Sequence, residues 1–200
     1  MTAPGSDELH LSFRGPFAWL ADRGVPSLFD AISPEMAGIY LWTIDRGDGH
    51  LVFYVGETGR CMRWRMAEHY AEHVAGRYSL HEPTLFAAGR KSCIWSGHYG
   101  KSGRTLGECV AASIELAPEI LELSKILRFF VAPTTCERRL RRRAEAAIAD
   151  ALYAAPGDIG AFQDRDIRYE RRRTDESPVR VSLAVERDIT VLGFPASVDA

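Results

Sequence analysis

Apolar residues recur along this chain with two periods, near two and near four, and the switches between them mark its elements. Leu9, Leu11 and Phe13 alternate with polar neighbours, which predicts a short strand or extended arm over residues 9–20, carrying the aromatic pair Phe17 and Trp19 behind Gly15-Pro16. Residues 1–8 read as a flexible tail. A short helix is predicted around residues 25–32, broken by Ser33-Pro34. Two β-rich runs follow, 37–44 and 51–56. Between them lies Asp45-Arg46-Gly47-Asp48-Gly49-His50, a hairpin connection by its glycines and aspartates. Met62, Met66, Tyr70 and Val74, spaced by four, then predict a buried helical stripe. Arg65 and His69 form a second i,i+4 pair at its edge.

Residues 77–103 resist assignment, because Gly76, Pro83, Gly89, Gly97, Gly100 and Gly103 punctuate them, with Phe86, Ile94, Trp95 and Tyr99 between. Residues 106–125 read as helix, in two pieces parted at Pro118. A third strand is predicted at 126–132 and ended by Pro133. Thr134-x-x-Glu137 then reads as a capping box opening a helix. On a wheel of residues 138–153, Leu140, Ala144, Ala147, Ile148, Ala151 and Leu152 form the buried arc, and Pro156-Gly157 stops the helix. Residues 179–186 and 189–194, joined at Arg187-Asp188, predict a C-terminal β-hairpin.

Composition narrows the class. With 200 residues, 46% hydrophobic and 26% charged, the chain can bury the core of one domain with embellishments. No apolar run is long enough to span a membrane and residues 1–10 are too polar for a signal peptide, so no membrane partner and a cytoplasmic location are expected. Cys61, Cys93, Cys109 and Cys136 are scattered without a Cys-x-x-Cys pair, which points to reduced thiols rather than disulfides or zinc. A net charge of −2 argues against a protein that coats DNA by electrostatics alone, but not against a local basic cleft. Between residues 138 and 173 there are ten arginines against six carboxylates. Arg138, Arg141, Arg142, Arg168 and Arg172 are the candidates for tracking a phosphate backbone, with solvated helix faces as the plain alternative.

The chemistry gathers on the hairpin and the helix after it. With the turn centred on Gly47, Tyr40 stands opposite Tyr54, and opposed residues project from the same face. Each tyrosine has a glycine nearby, where backbone or a ligand can approach closely. Two strands and a helix would thus converge Tyr40, Tyr54, Arg65 and His69 on one cleft.

These residues resemble the GIY-YIG nuclease family, through Gly38-Ile39-Tyr40, Tyr54-Val55-Gly56 and the Arg65-x-x-x-His69 helix, over roughly residues 37–153. The resemblance implies an α/β fold: a small, mainly antiparallel three-stranded central sheet flanked by helices. To this the chain would add an N-terminal arm (1–36), an insertion at about 77–125 within the nuclease domain (37–155), and a basic segment with the hairpin (156–200). The insertion is expected to shape substrate choice, or else to serve as a lid or oligomer contact.

It also implies a metal-dependent endonuclease acting on DNA. Tyr40 would serve as general base or proton relay, Tyr54 would orient water or phosphate, and Arg65 would hold phosphate oxygens. His69 would polarise Tyr40, and Glu145 would fix one Mg²⁺ (or Mn²⁺). A catalytically silent nucleic-acid- or partner-binding module is the alternative, and a homodimer is a further option. Rival assignments stay open: Arg60 and Arg63 for Arg65, His73 for His69, and an i,i+4 ion pair with Arg141 for Glu145. Two departures stand out. Glu57 occupies a position where many members have lysine, and the family's late asparagine has only Gln163 as a nearby amide.

Overall fold

The computed structural model describes residues 8–22, 24–31, 36–101, 103–165, 167–186 and 188–200. The first half of the chain forms β1 (Glu8–Phe17), α1 (Leu28–Ala31), β2 (Gly38–Asp45), β3 (His50–Thr58), α2 (Met62–Val74), β4 (Leu80–His81), α3 (Pro83–Ala87) and β5 (Cys93–Trp95). The second half forms α4 (Leu106–Glu115), α5 (Ala117–Ile126), β6 (Leu127–Pro133), α6 (Arg138–Ala154), α7 (Asp158–Phe162), β7 (Arg180–Val185) and β8 (Ser197–Asp199). Of the predicted tail at 1–8, residues 1–7 lie outside the described residues, as does the break at Ser33-Pro34, and Glu8 instead begins β1.

Six strands pair in the order β3-β2-β6-β1-β7-β8, and β4 pairs with β5 in a separate ribbon. The β1–β7 pair is parallel and the other pairs of the large sheet are antiparallel. The expected small three-stranded central sheet is therefore corrected. Strands β3, β2 and β6 are only half of a mixed sheet that curls into a half-barrel, with seven helices among the described residues. The physical reason lies in β1 and β7. Each alternates apolar and polar residues, and pairing lets Leu11, Phe13, Val181 and Leu183 share one core with Ile39, Leu41, Val55 and Phe130. A detached arm or a lone hairpin would leave those side chains in water, at about 1.5–3 kcal/mol for each fully buried one.

The expected C-terminal hairpin is also corrected. β7 pairs with β8, not with residues 189–194. Those residues run back to the start of β3, where His50 N–H donates to Thr190 O (2.9 Å) and Leu192 N–H donates to His50 O (2.9 Å).

Strand alternation sorts the sheet into two faces. Ile39, Leu41 and Val55 join Ala144, Ile148 and Leu152 of α6 on one side. Tyr40, Trp42, Ile44, Phe129 and Val131 face Met62 and Met66 of α2 and Ile120 and Leu123 of α5 on the other. The Thr134–Glu137 capping box does not form, since Glu137 is the N-cap residue without a side-chain cap and Thr134 Oγ1 accepts from Cys136 N–H instead. A reciprocal box is present at Thr105 and Glu108 of α4. Pro118 sits in the first turn of α5, where its missing N–H costs nothing, and it parts α5 from α4.

Candidate active site

The hairpin of β2 and β3 builds the site through an irregularity in its register. Thr43 opposes Val52 while Trp42 opposes Tyr54, so Phe53 is an extra residue on the edge strand. Tyr40 consequently opposes Gly56 rather than Tyr54. The offset is two residues, which preserves the phase of the side chains. Tyr40 and Tyr54 are diagonal neighbours on one face, with ring centroids 6.1 Å apart. The glycine of the second triplet now has a cause. A Cβ on Gly56 would lie 2.4 Å from Tyr40 Cζ and 2.5 Å from its hydroxyl, so the phenol occupies the space a side chain would need. Gly38 is constrained likewise, its Cβ position lying 2.4 Å from Ala132 O.

Above Tyr40 lies α2. Its buried residues are Met62, Met66, His69 and His73, whereas Val74 is exposed, so the stripe drifts from the predicted spacing of four and turns both histidines inward. Wholly buried, the Tyr40 hydroxyl is hydrogen-bonded to His69 Nε2 at 2.8 Å, and His69 Nδ1 to the Tyr78 hydroxyl at 2.6 Å. The Arg65 guanidinium and the Tyr54 hydroxyl lie beside the Tyr40 oxygen and favour its anion. Burial pushes the Tyr40 phenol up to about 12 against the opposing pull of Arg65. Burial, reinforced by the Arg65 charge, pushes His69 down to about 3, so the imidazole is neutral. Tyr54 and Tyr78 are raised well above an ordinary phenol, chiefly by burial.

The rival cations sort themselves by geometry. Arg60 pairs with Glu68 on the surface (2.7 Å), while Arg65 reaches both Glu68 (3.2 Å) and Tyr40. His73 donates to Ile120 O at 3.2 Å and packs against Trp19, a core histidine pushed down to about 4 by burial.

Glu145 approaches from the other side of the sheet. Its helix, α6, packs on the face opposite Tyr40, but the Glu145 carboxyl lies near the Glu57 backbone at the outer edge of β3. Glu57 follows Gly56, over which the Tyr40 hydroxyl lies. Hydroxyl and carboxyl are thus close enough around the rim of one strand for the Glu145 charge to oppose ionisation of Tyr40. Burial, aided by the neighbouring Glu57 carboxylate, pushes the Glu145 carboxyl up to about 8.

Other groups stitch the same edge. Gln163 Nε2 donates to Val52 O (2.6 Å), Asp164 N–H to Phe53 O (2.8 Å) and the Tyr169 hydroxyl to Val55 O (3.1 Å). Gln163 is thus a buried strand clamp and does not stand in for the family asparagine.

The expected basic face is largely consumed within the protein. Arg141, 4% exposed, binds Glu57 (2.7 Å) and Cys136 O (3.1 Å), which removes it from the nucleic-acid candidates. Arg142 binds Glu57 (3.1 Å) and Glu170. Arg143 is buried against Ser177 O and Ala200 O. Arg138, Arg168 and Arg172 are exposed, with Arg172 bonded to Glu176 O (2.8 Å). Glu57, where lysine was the family expectation, is the anion that binds the arginines of α6.

No group of three or more His, Cys, Asp or Glu converges among the described residues. The donor set fits a hard cation held by Glu145 alone, with water and phosphate completing the shell, and does not fit an all-protein cage. The geometry also adds Tyr78, which the glycine-broken segment after residue 76 concealed. Beyond it opens a cavity of about 920 Å³, bounded by Tyr54, Arg65, His69 and Tyr78 at one end and by Phe86 and Lys91 at the other. Comparison with protein-family models, with curated proteins and with solved structures found no match for this chain.

Proposed function

We propose that this protein is an endonuclease that hydrolyses DNA phosphodiester bonds with one Mg²⁺ or Mn²⁺ on Glu145. The reading is carried by one observation: a wholly buried tyrosine hydroxyl hydrogen-bonded to a neutral histidine, with an arginine guanidinium beside it. Packing alone needs one partner for a buried phenol. Surrounding it with a half-buried guanidinium and a histidine denied its charge costs desolvation energy, which is the pattern of a proton-transfer site.

Water attacking phosphorus must lose a proton. A phenol held at about 12 is a poor resting base, but it serves as a relay. Its oxygen takes the proton from water as its own proton passes to His69 Nε2. The Tyr78 oxygen, 2.6 Å from Nδ1, accepts from the resulting imidazolium and stabilises it. Arg65 holds two phosphate oxygens, and the incoming negative charge offsets the arginine that disfavours a charged His69. Tyr54 orients the water against Tyr40. Bound at Glu145, the metal supplies Lewis-acid stabilisation of charge developing on the leaving oxygen.

The test is cleavage of supercoiled plasmid, single-stranded and branched DNA with Mg²⁺, Mn²⁺ or EDTA. Wild type should cut in a metal-dependent way, and Tyr40→Phe and Glu145→Gln should each lose about 100-fold or more while still binding DNA. No cleavage by wild type with any metal would leave the silent binder. Undiminished cleavage by both variants would remove these residues from the mechanism.

A further inference from the structure

The cavity beside the site is far larger than a phosphate requires. Its volume, about 920 Å³, lies within the ~300–1,000 Å³ range of pockets that enclose organic ligands. Its walls are aromatic. Phe53 and Tyr54 come from β3, Tyr78 and Tyr99 from the loops flanking the β4–β5 ribbon, and Phe86 from α3. The extra residue in β3 accounts for the first two. Consecutive strand residues ordinarily point to opposite faces, but at Phe53 and Tyr54 the irregular register turns both toward the same side. At the mouth, the half-exposed ring of Tyr99 lies 5.5 Å from that of Tyr78 and tilted by 37°. Two of the three acids in the wall are paired with arginines, Glu68 with Arg60 (2.7 Å) and Glu72 with Arg77 (2.7 Å), and Asp164 is the third. Lys91 extends along the far side, 6.0 Å from the Phe53 ring centroid.

A flat, sequence-tolerant π-surface next to a phosphate-binding arginine is the chemistry of base stacking. We infer that this pocket takes up an unstacked nucleobase of the DNA strand whose phosphate lies on Arg65. The inference rests on the nuclease reading and narrows it to DNA that offers such a base: single-stranded, bulged or frayed. A base inside an intact duplex cannot reach a pocket walled by side chains between Tyr78 and Lys101 without leaving its stack, which costs a few kcal/mol. DNA in which that base is already free binds without the penalty.

The experiment measures binding without cleavage, in EDTA, by fluorescence anisotropy of three fluorescein-labelled DNAs. These are a short single strand, the blunt duplex of the same sequence, and that duplex with a one-nucleotide bulge. The first and third should bind about tenfold or more tighter than the blunt duplex. Tyr99→Ala should weaken those two by about 5- to 100-fold, the worth of one base–aromatic stack, and leave the blunt duplex unchanged. Tyr99→Phe keeps the ring, loses only the bond to Glu72 (3.1 Å), and should restore affinity. Equal binding of all three DNAs, or equal weakening of all three by Tyr99→Ala, would overturn the pocket assignment. Metal-dependent cleavage of the blunt duplex in that case would leave the nuclease reading standing, whereas no binding to any DNA would remove both.

Discussion

Replacing Glu145 by glutamine should change how stability depends on pH, and the structure sets the size of the change. The carboxyl is raised from 4.5 to about 8 in the folded protein, first by burial and then by Glu57. Between those values the folded chain holds a proton that the unfolded chain has released, so stability falls as pH rises through the window. At about 1.4 kcal/mol per unit, the full swing from pH 4.5 to above 8 is on the order of 5 kcal/mol, of which roughly 3 kcal/mol has accrued by pH 7. Glutamine keeps the size and a side-chain oxygen acceptor but never ionises. Urea unfolding of wild type and Glu145→Gln in EDTA, across that pH range, should give a difference near zero at the acid end that grows with pH in favour of the variant. Taking the difference cancels other titrating groups. Added Mg²⁺ at pH 8 should stabilise wild type and not the variant, because the cation replaces the proton. A difference that stays flat with pH would refute the placement of this carboxyl in a desolvated edge beside Glu57.

Three further outcomes follow from the geometry. Gly56→Ala drives a methyl into the Tyr40 ring at 2.4 Å and should cost about 1–3 kcal/mol in unfolding measurements, together with most of the cleavage activity. Arg141→Ala leaves Glu57 with Arg142 as its remaining cation and should cost about 1.5–3 kcal/mol, while the triple Arg138/Arg168/Arg172→Ala should leave stability within about 0.5 kcal/mol per site and flatten the salt dependence of DNA binding. His69 and His73 are lowered to about 3 and about 4, so the unfolded chain gains their protons first as pH drops below 6.5. Stability should fall through that window, and His73→Gln should reduce the slope in acid unfolding titrations.

The parts legible in the sequence were those with local signals. Short apolar, β-rich runs marked β2, β3 and β6, the Asp-Gly-rich turn joined the first two, and the spacing of Arg65 and His69 put both on one side of α2. What escaped depended on partners far away in the chain. Leu9, Leu11 and Phe13 announce a half-buried strand but carry no sign that it pairs with Arg180–Val185 in parallel. The extra residue at Phe53 was invisible because nothing in His50–Thr58 breaks the strand pattern, yet it decides which residue faces Tyr40. Tyr78 was hidden for the opposite reason, since glycines around it erase periodicity and its role comes from His69 alone. The arginines misled through counting. Charge density along residues 138–173 is real, but Glu57, remote in sequence, Glu176 just past the stretch and Glu170 within it absorb much of it.

The outer rim of β3 has one more consequence. A strand at the border of a sheet ordinarily offers its backbone to any extended chain that drifts past, including another copy of itself. Here Val52, Phe53 and Val55 have their carbonyls already engaged by Gln163, Asp164 and Tyr169. The stretch after α7 is thus the seal of that border. Two copies of this protein cannot fuse their sheets across it without first stripping away those three bonds. A homodimer that leaves the seal intact must form elsewhere on the surface.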